Sequence, residues 1–155
     1  MAMNRMHAIS SLFLRVALGV SFLSAVADRF GFWGAHGQKN VAWGDFSHFV
    51  AYTAKLNWFV PPSLIPALAW TSTVAEIAFG LALLVGIFTR AASLLSGILL
   101  LLFALSMTFA LGVKSPLDLS VFSASAGAFL LAAHADYPFS LDAWWQHRRE
   151  SRKSR

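Results

Sequence analysis

Four stretches of this chain, residues 9–27, 64–88, 91–111 and 116–133, are each close to the length of apolar helix that crosses a bilayer. A hydrocarbon core about 30 Å thick takes roughly 20 residues at 1.5 Å per residue. Only 12% of the 155 residues are charged, 57% are hydrophobic, and the mean hydropathy is +0.63. A soluble domain carries about 25% charged residues, so this chain has too little polar surface to live in water. Disordered, collagenous and coiled-coil classes are excluded with it. The expected fold is all-α, a four-helix transmembrane bundle forming a single domain over residues 1–155.

Consecutive spans are joined by short turns, so neighbours run antiparallel. An even number of spans places both termini on one side. That side would hold Arg5, Arg90 and the tail cations Arg148, Arg149, Arg152, Lys153 and Arg155, against Arg29, Lys39, Lys55 and Lys114 opposite. The positive-inside rule makes it the cytoplasm, with a solvated, lipid-attracted tail over residues 146–155. The net charge of +5 is therefore a topology signal before it is a nucleic-acid signal, and no nucleic-acid partner is expected. A rival reading takes the first span as a signal peptide cleaved after Ala25-Val26-Ala27, although Arg15 splits its apolar run.

Residues 28–63 form a long first extracytoplasmic loop that opens glycine-rich. From Asp45, a candidate N-cap, Phe46, Phe49, Val50, Thr53 and Leu56 recur at helical spacing until Pro61 and Pro62. The pattern predicts an amphipathic interfacial helix over residues 45–57.

Small and hydroxyl residues form stripes on the spans: Ser10, Ala17, Ser21, Ser24 and Asp28; Ala69, Ser72, Thr73, Glu76 and Gly80; Ser93, Ser96, Gly97, Ala104 and Thr108; and Ser120, Ser123, Ala124 and Gly127. Their plain meaning is close helix packing. Arg15, Phe22, Val26 and Arg29 share a different face of the first span. Glu76 stands about twelve residues, or about 18 Å, from either end of its span, too deep to reach water by extending its side chain. It is either a proton-exchanging or ligand-binding carboxylate, or an acid that fixes helix register. Arg15 is the obvious counter-charge, with a depth mismatch of about 9 Å that two extended side chains could close. Asp28 and Arg29 sit at the outer boundary, and Ser115-Pro116-Leu117-Asp118 reads as an N-cap, a proline at N1 and an acid at N3, so that capping accounts for Asp118.

With no cysteine there is no disulfide, thiolate or iron–sulfur ligation, no histidine lies deep enough for a b-type haem, and no metal site is expected. Walker, G-x-G-x-x-G, H-E-x-x-H and G-x-S-x-G motifs do not occur.

Leu14-Arg15-Val16-Ala17-Leu18-Gly19, Asp28-Arg29-Phe30-Gly31, Phe49-Val50-Ala51-Tyr52, the run from Glu76 to Arg90, and Ser140-Leu141-Asp142 follow one another in an order that resembles the DoxX family of small membrane proteins. The chain departs from it in carrying Ala25-Val26-Ala27-Asp28 before Arg29. The resemblance implies a relative of the membrane subunit of thiosulfate:quinone oxidoreductase, with Arg15, Arg29, Glu76 and Arg90 matching its charged positions. On that reading a cleft binds a quinone, Glu76 and Arg15 are the catalytic pair, and Arg29, Ser72, Thr73 and Arg90 contact the ligand. Two other functions stand beside it: a non-enzymatic membrane scaffold that recruits a partner, and a small proton-coupled transporter. The expected partners are the lipid bilayer and either a redox-complex protein or a second copy of the chain.

Overall fold

The computed structural model describes residues 5–134 and 136–153. Those residues form seven α-helices and no strand: α1 (Arg5–Arg29), α2 (Phe46–Leu56), α3 (Ile65–Val85), α4 (Thr89–Leu111), α5 (Lys114–Asp118), α6 (Val121–Ala132) and α7 (Leu141–Lys153), with a 3-10 turn at Pro62–Leu64. Three segments are long and apolar enough to cross a membrane: Arg5–Arg29, Pro62–Val85 and Thr89–Leu111. Their outer faces present Val16, Val20, Leu81, Leu94, Leu102, Leu105 and Phe109. Such surface suits lipid and would be untenable in water.

α1 packs against α3 and α6, and α4 packs against the same two helices. Leu18, Phe22, Leu83, Ala92, Ala128, Leu131 and Tyr137 make the buried apolar centre. The α1–α3 crossing is set by Gly19 and Gly80. A Cβ on Gly19 would sit 2.9 Å from the Gly80 carbonyl oxygen, so the two backbones touch. Lipid supplies no hydrophobic force between helices, and such close approach is how spans gain contact. On the other side of the bundle the Ser125 hydroxyl donates to the Gly97 carbonyl at 2.8 Å, joining α6 to α4.

The stripe Ala69, Ser72, Thr73, Glu76 and Gly80 is the buried face of α3, as its spacing predicts. Ser93, Ser96, Gly97 and Ala104 are likewise buried on α4. On α1 the expectation holds at Asp28 but not along the stripe: Ser10 and Ser21 face outward, while Arg15, Phe22, Val26 and Arg29 are buried. Two arginines with partners inside the protein turn the helix that way.

The fourth stretch is not one helix. α5 ends at Asp118, Ser120 takes a left-handed φ of 55°, and α6 starts afresh in a new phase. Its buried face is therefore Ser125, Ala128, Leu131 and Ala132 instead of Ser123, Ala124 and Gly127. Asp118 does not cap, but pairs with Lys114 on the surface of α5.

α3 stops at Val85, three residues short of the expected end. Gly86 there has φ 74°, and its amide and that of Ile87 both bond to the Ala82 carbonyl. This glycine-terminated end satisfies carbonyls that the helix leaves open. The segment after α6 ends in a further helix. It is helical from Leu141, because the Ser140 hydroxyl accepts from the Ala143 amide at 3.0 Å as an N-cap.

α2 does form where its periodicity places it. Asp45 caps it by accepting from the His48 amide at 2.9 Å, and Phe49, Thr53 and Leu56 turn inward. The helix packs where α3 begins and α4 nears its end, and touches α1.

Candidate functional site

α1 ends on Arg29 and α3 carries Glu76 in its middle, yet the two meet. The Gly19–Gly80 contact sets the register of the antiparallel pair. Ten residues on from Gly19 is Arg29 and ten back from Gly80 is Trp70, so a guanidinium reaching about two turns further along α3 arrives at Thr73 and Glu76. Arg29 Nη2 donates to both Glu76 oxygens, at 2.7 and 2.9 Å, and Nη1 donates to Thr73 Oγ1 at 2.9 Å. The Thr73 hydroxyl in turn donates a hydrogen bond to the Ala69 carbonyl at 2.8 Å. The ion-paired side chains are 3% and 2% exposed.

A buried charge pair is stable only when its geometry is good and its remaining groups are satisfied. Here Arg29 Nε is buried without a hydrogen-bond partner, and aromatic rings enclose the guanidinium. The guanidinium carbon lies 3.7 Å from the Phe49 ring centroid and 5.1 Å from that of Trp43. Phe49 comes from α2, and Trp43 from the loop before it. Trp43 stands edge-on to Phe49 with centroids 5.2 Å apart. Asp28, one residue before the paired arginine, holds that loop: its carboxylate accepts from the Ala42 amide at 2.8 Å and the Gly44 amide at 3.2 Å. Adjacent acid and base at the end of one helix thus have separate tasks, Asp28 fixing the covering loop and Arg29 the ion pair.

Arg15 is not the partner of Glu76. It lies at the opposite end of the bundle, 1% exposed, with every hydrogen bond on a main-chain carbonyl. Nε donates to Leu83 at 3.0 Å, Nη2 to Leu84 at 3.4 Å, and Nη1 to Pro138 and Phe139 at 3.1 and 3.4 Å. The C-terminal carbonyls of α3 favour a cation. Nearby, Asp142 accepts from the Phe88 and Thr89 amides at 3.0 and 2.7 Å and so caps α4 from across the chain, while its own amide bonds to the Gly86 carbonyl. A Cβ on Gly86 would strike both the Arg15 guanidinium and Ser140.

Of the other expected site residues, Thr73 joins the ion pair, whereas the Ser72 hydroxyl bonds back to Ala69 within its own helix. Arg90 is exposed at the Arg15 end, where its charge acts on Tyr137. Burial pushes the Tyr137 phenol up and Arg90 partly offsets this. The structure therefore divides the six residues between two ends of the bundle. Phe49, Trp43 and Asp28 complete the cluster around Arg29 and Glu76. The inward face of α2 already carried Phe49, but nothing in the spacing tied Trp43 to a charge.

An all-helical membrane protein with a sealed ion pair under an aromatic cap is the class that this architecture defines. Residues 3–118 match the family model of methylamine utilisation protein MauE, and the chain belongs to that family. This finding overturns the DoxX assignment, which rested on motifs that are each short and largely apolar and so carry little specificity. No curated protein and no solved structure matches the chain.

Proposed function

We propose that the protein is a non-enzymatic membrane component of a methylamine utilisation system, a four-span scaffold on which a partner protein assembles. The observation that carries this reading is the state of Glu76. Both its oxygens are held by Arg29 beneath Phe49 and Trp43, so its charge joins α1, α2 and α3 instead of meeting a ligand. A quinone-linked or proton-coupled role would need that carboxylate free to exchange a proton with something outside the pair.

The fourth crossing would be α6. Arg15 and Asp142 bring the segment after α6 back to the end where α3 stops and α4 starts. α4 leads away from that end, so the chain must return through α6, whose 12 residues span about 18 Å, and the flanking turns would cover the rest. Both termini then share a side, which the excess of arginine there makes cytoplasmic.

Single cysteines at Gln38 and Gln146, in a chain that has none, test the topology by labelling in intact cells. Gln38 should label from outside and Gln146 only after lysis. The scaffold reading is tested by purification from native membranes. It expects a protein partner to be retained and quinone only at the level of bulk lipid. Stoichiometric quinone, lost in a folded Glu76→Gln variant, would overturn it.

A further inference from the structure

The family match ends before α6 and α7, and the lipid attraction expected of residues 146–155 can be placed on particular side chains of α7. The first turn of α7 is firmly fixed. Asp142 caps α4, Ser140 caps α7, and Arg15 holds Pro138 and Phe139, so the helix starts in a set place at one end of the bundle. Beyond it, Leu141, Trp144, Trp145 and Arg148 fall at i, i+3, i+4 and i+7 and so share one face. Trp144 and Trp145 remain 46% and 40% exposed. The Arg148 guanidinium lies over the Trp144 ring, 3.9 Å from its centroid.

Charge on this helix is one-sided. From Leu141 to the end of the chain come Arg148, Arg149, Arg152, Lys153 and Arg155 against Asp142 and Glu150, and Asp142 is already spent on the α4 amides. A helix with indoles on one face, arginines beside them, and its first residue tied to the end of a transmembrane bundle suits the bilayer boundary better than water.

We infer that α7 lies on the membrane surface and binds the phosphate groups of anionic phospholipids through Arg148 and Arg149, with Trp144 and Trp145 seated at the headgroup level. Guanidinium matches a phosphate diester in shape and charge, and the indole beneath Arg148 presents that group without ordering it anew. Each basic side chain at an anionic surface is worth about five-fold in partitioning, so Arg148 and Arg149 together give about twenty-five-fold preference over a neutral surface. The inference needs only that the bundle sits in a bilayer, and holds whichever side α7 faces.

The test uses the full chain in nanodiscs of phosphatidylcholine alone, or with phosphatidylglycerol at about one lipid in three, a level at which the surface is clearly negative. Amide hydrogen exchange over residues 143–149 is compared between the two, with α3 and α4 as internal references. Slower exchange of α7 in the anionic discs by about ten-fold or more is expected, abolished by high salt and by the double change Arg148→Glu with Arg149→Glu, while α3 and α4 stay protected in both variants. Equal exchange in the two compositions would overturn the inference and leave the face for a protein. So would an anionic-lipid effect that survives the charge reversal.

Discussion

The Arg29–Glu76 pair can be weighed by replacing each partner with an apolar residue of similar reach, Arg29→Met and Glu76→Leu, singly and together. Breaking a buried pair from one side costs about 3 to 5 kcal/mol, because the remaining charge has no partner. The two sides should not cost the same. In Glu76→Leu the guanidinium keeps only Thr73 and the rings of Phe49 and Trp43, and arginine cannot shed its proton, so this variant belongs at the upper end, about 5 kcal/mol. In Arg29→Met the stranded carboxylate can take up a proton and become neutral, which limits the loss to about 3 kcal/mol. These values correspond to roughly a hundred-fold to a few-thousand-fold in the folded-to-unfolded ratio. The double variant leaves no charge behind and fills the space with methylenes, so it should recover most of the loss, with a coupling of about 2 kcal/mol or more. Denaturant titration in detergent micelles, followed by tryptophan fluorescence, measures all three. Additive single effects, with coupling below about 0.5 kcal/mol, would show that the pair does not hold the bundle together.

Gly86→Ala should destabilise the Arg15 end by more than the roughly 1 kcal/mol of a left-handed residue, since its methyl group also displaces the guanidinium; the same titration would show it, and an unchanged midpoint would contradict the packing there. Asp142→Ala removes the cap of α4 and should cost about 0.5 to 2 kcal/mol, with faster amide exchange at Phe88 and Thr89 and little change at Glu76. Asp45→Ala should fray the first turn of α2, seen as faster exchange at the His48 amide. Hydrogen bonds from Ser47 and His48 hold the Asp45 carboxyl well below the usual carboxylate range. The stabilisation it gives is thus complete above that range and is lost only as pH falls through the depressed value, so in a pH titration the His48 amide resonance should stay native well into acid.

The inward face of α3 was legible because Ala69, Ser72, Thr73, Glu76 and Gly80 repeat at helical spacing, and Asp45 was legible because a capping acid precedes an amphipathic run. The partner of Glu76 was not. Depth counted from the ends of each span favours Arg15, but a helix pair can slide, and only the Gly19–Gly80 contact fixes which residues face one another. Arg29 looked like a rim charge because its burial depends on α2 folding back over it, a long-range event that no local pattern encodes. The break at Ser120 has neither glycine nor proline to announce it. α7 did carry a readable spacing in Leu141, Trp144, Trp145 and Arg148, masked by the run of cations after it.

The knot at the Arg15 end ties the first helix and the α3–α4 turn to residues 138–142, which leave the ribosome after all the long apolar segments. Chains fold largely in the order they are made. While the nascent protein lacks these residues, Arg15 has no Pro138 or Phe139 carbonyl to bind and the amides of Phe88 and Thr89 have no Asp142. The spans can enter the bilayer in that condition but cannot lock. Emergence of residues 138–142 is therefore the step after which the bundle can close, and a chain cut before Pro138 would be left open at the Arg15 end.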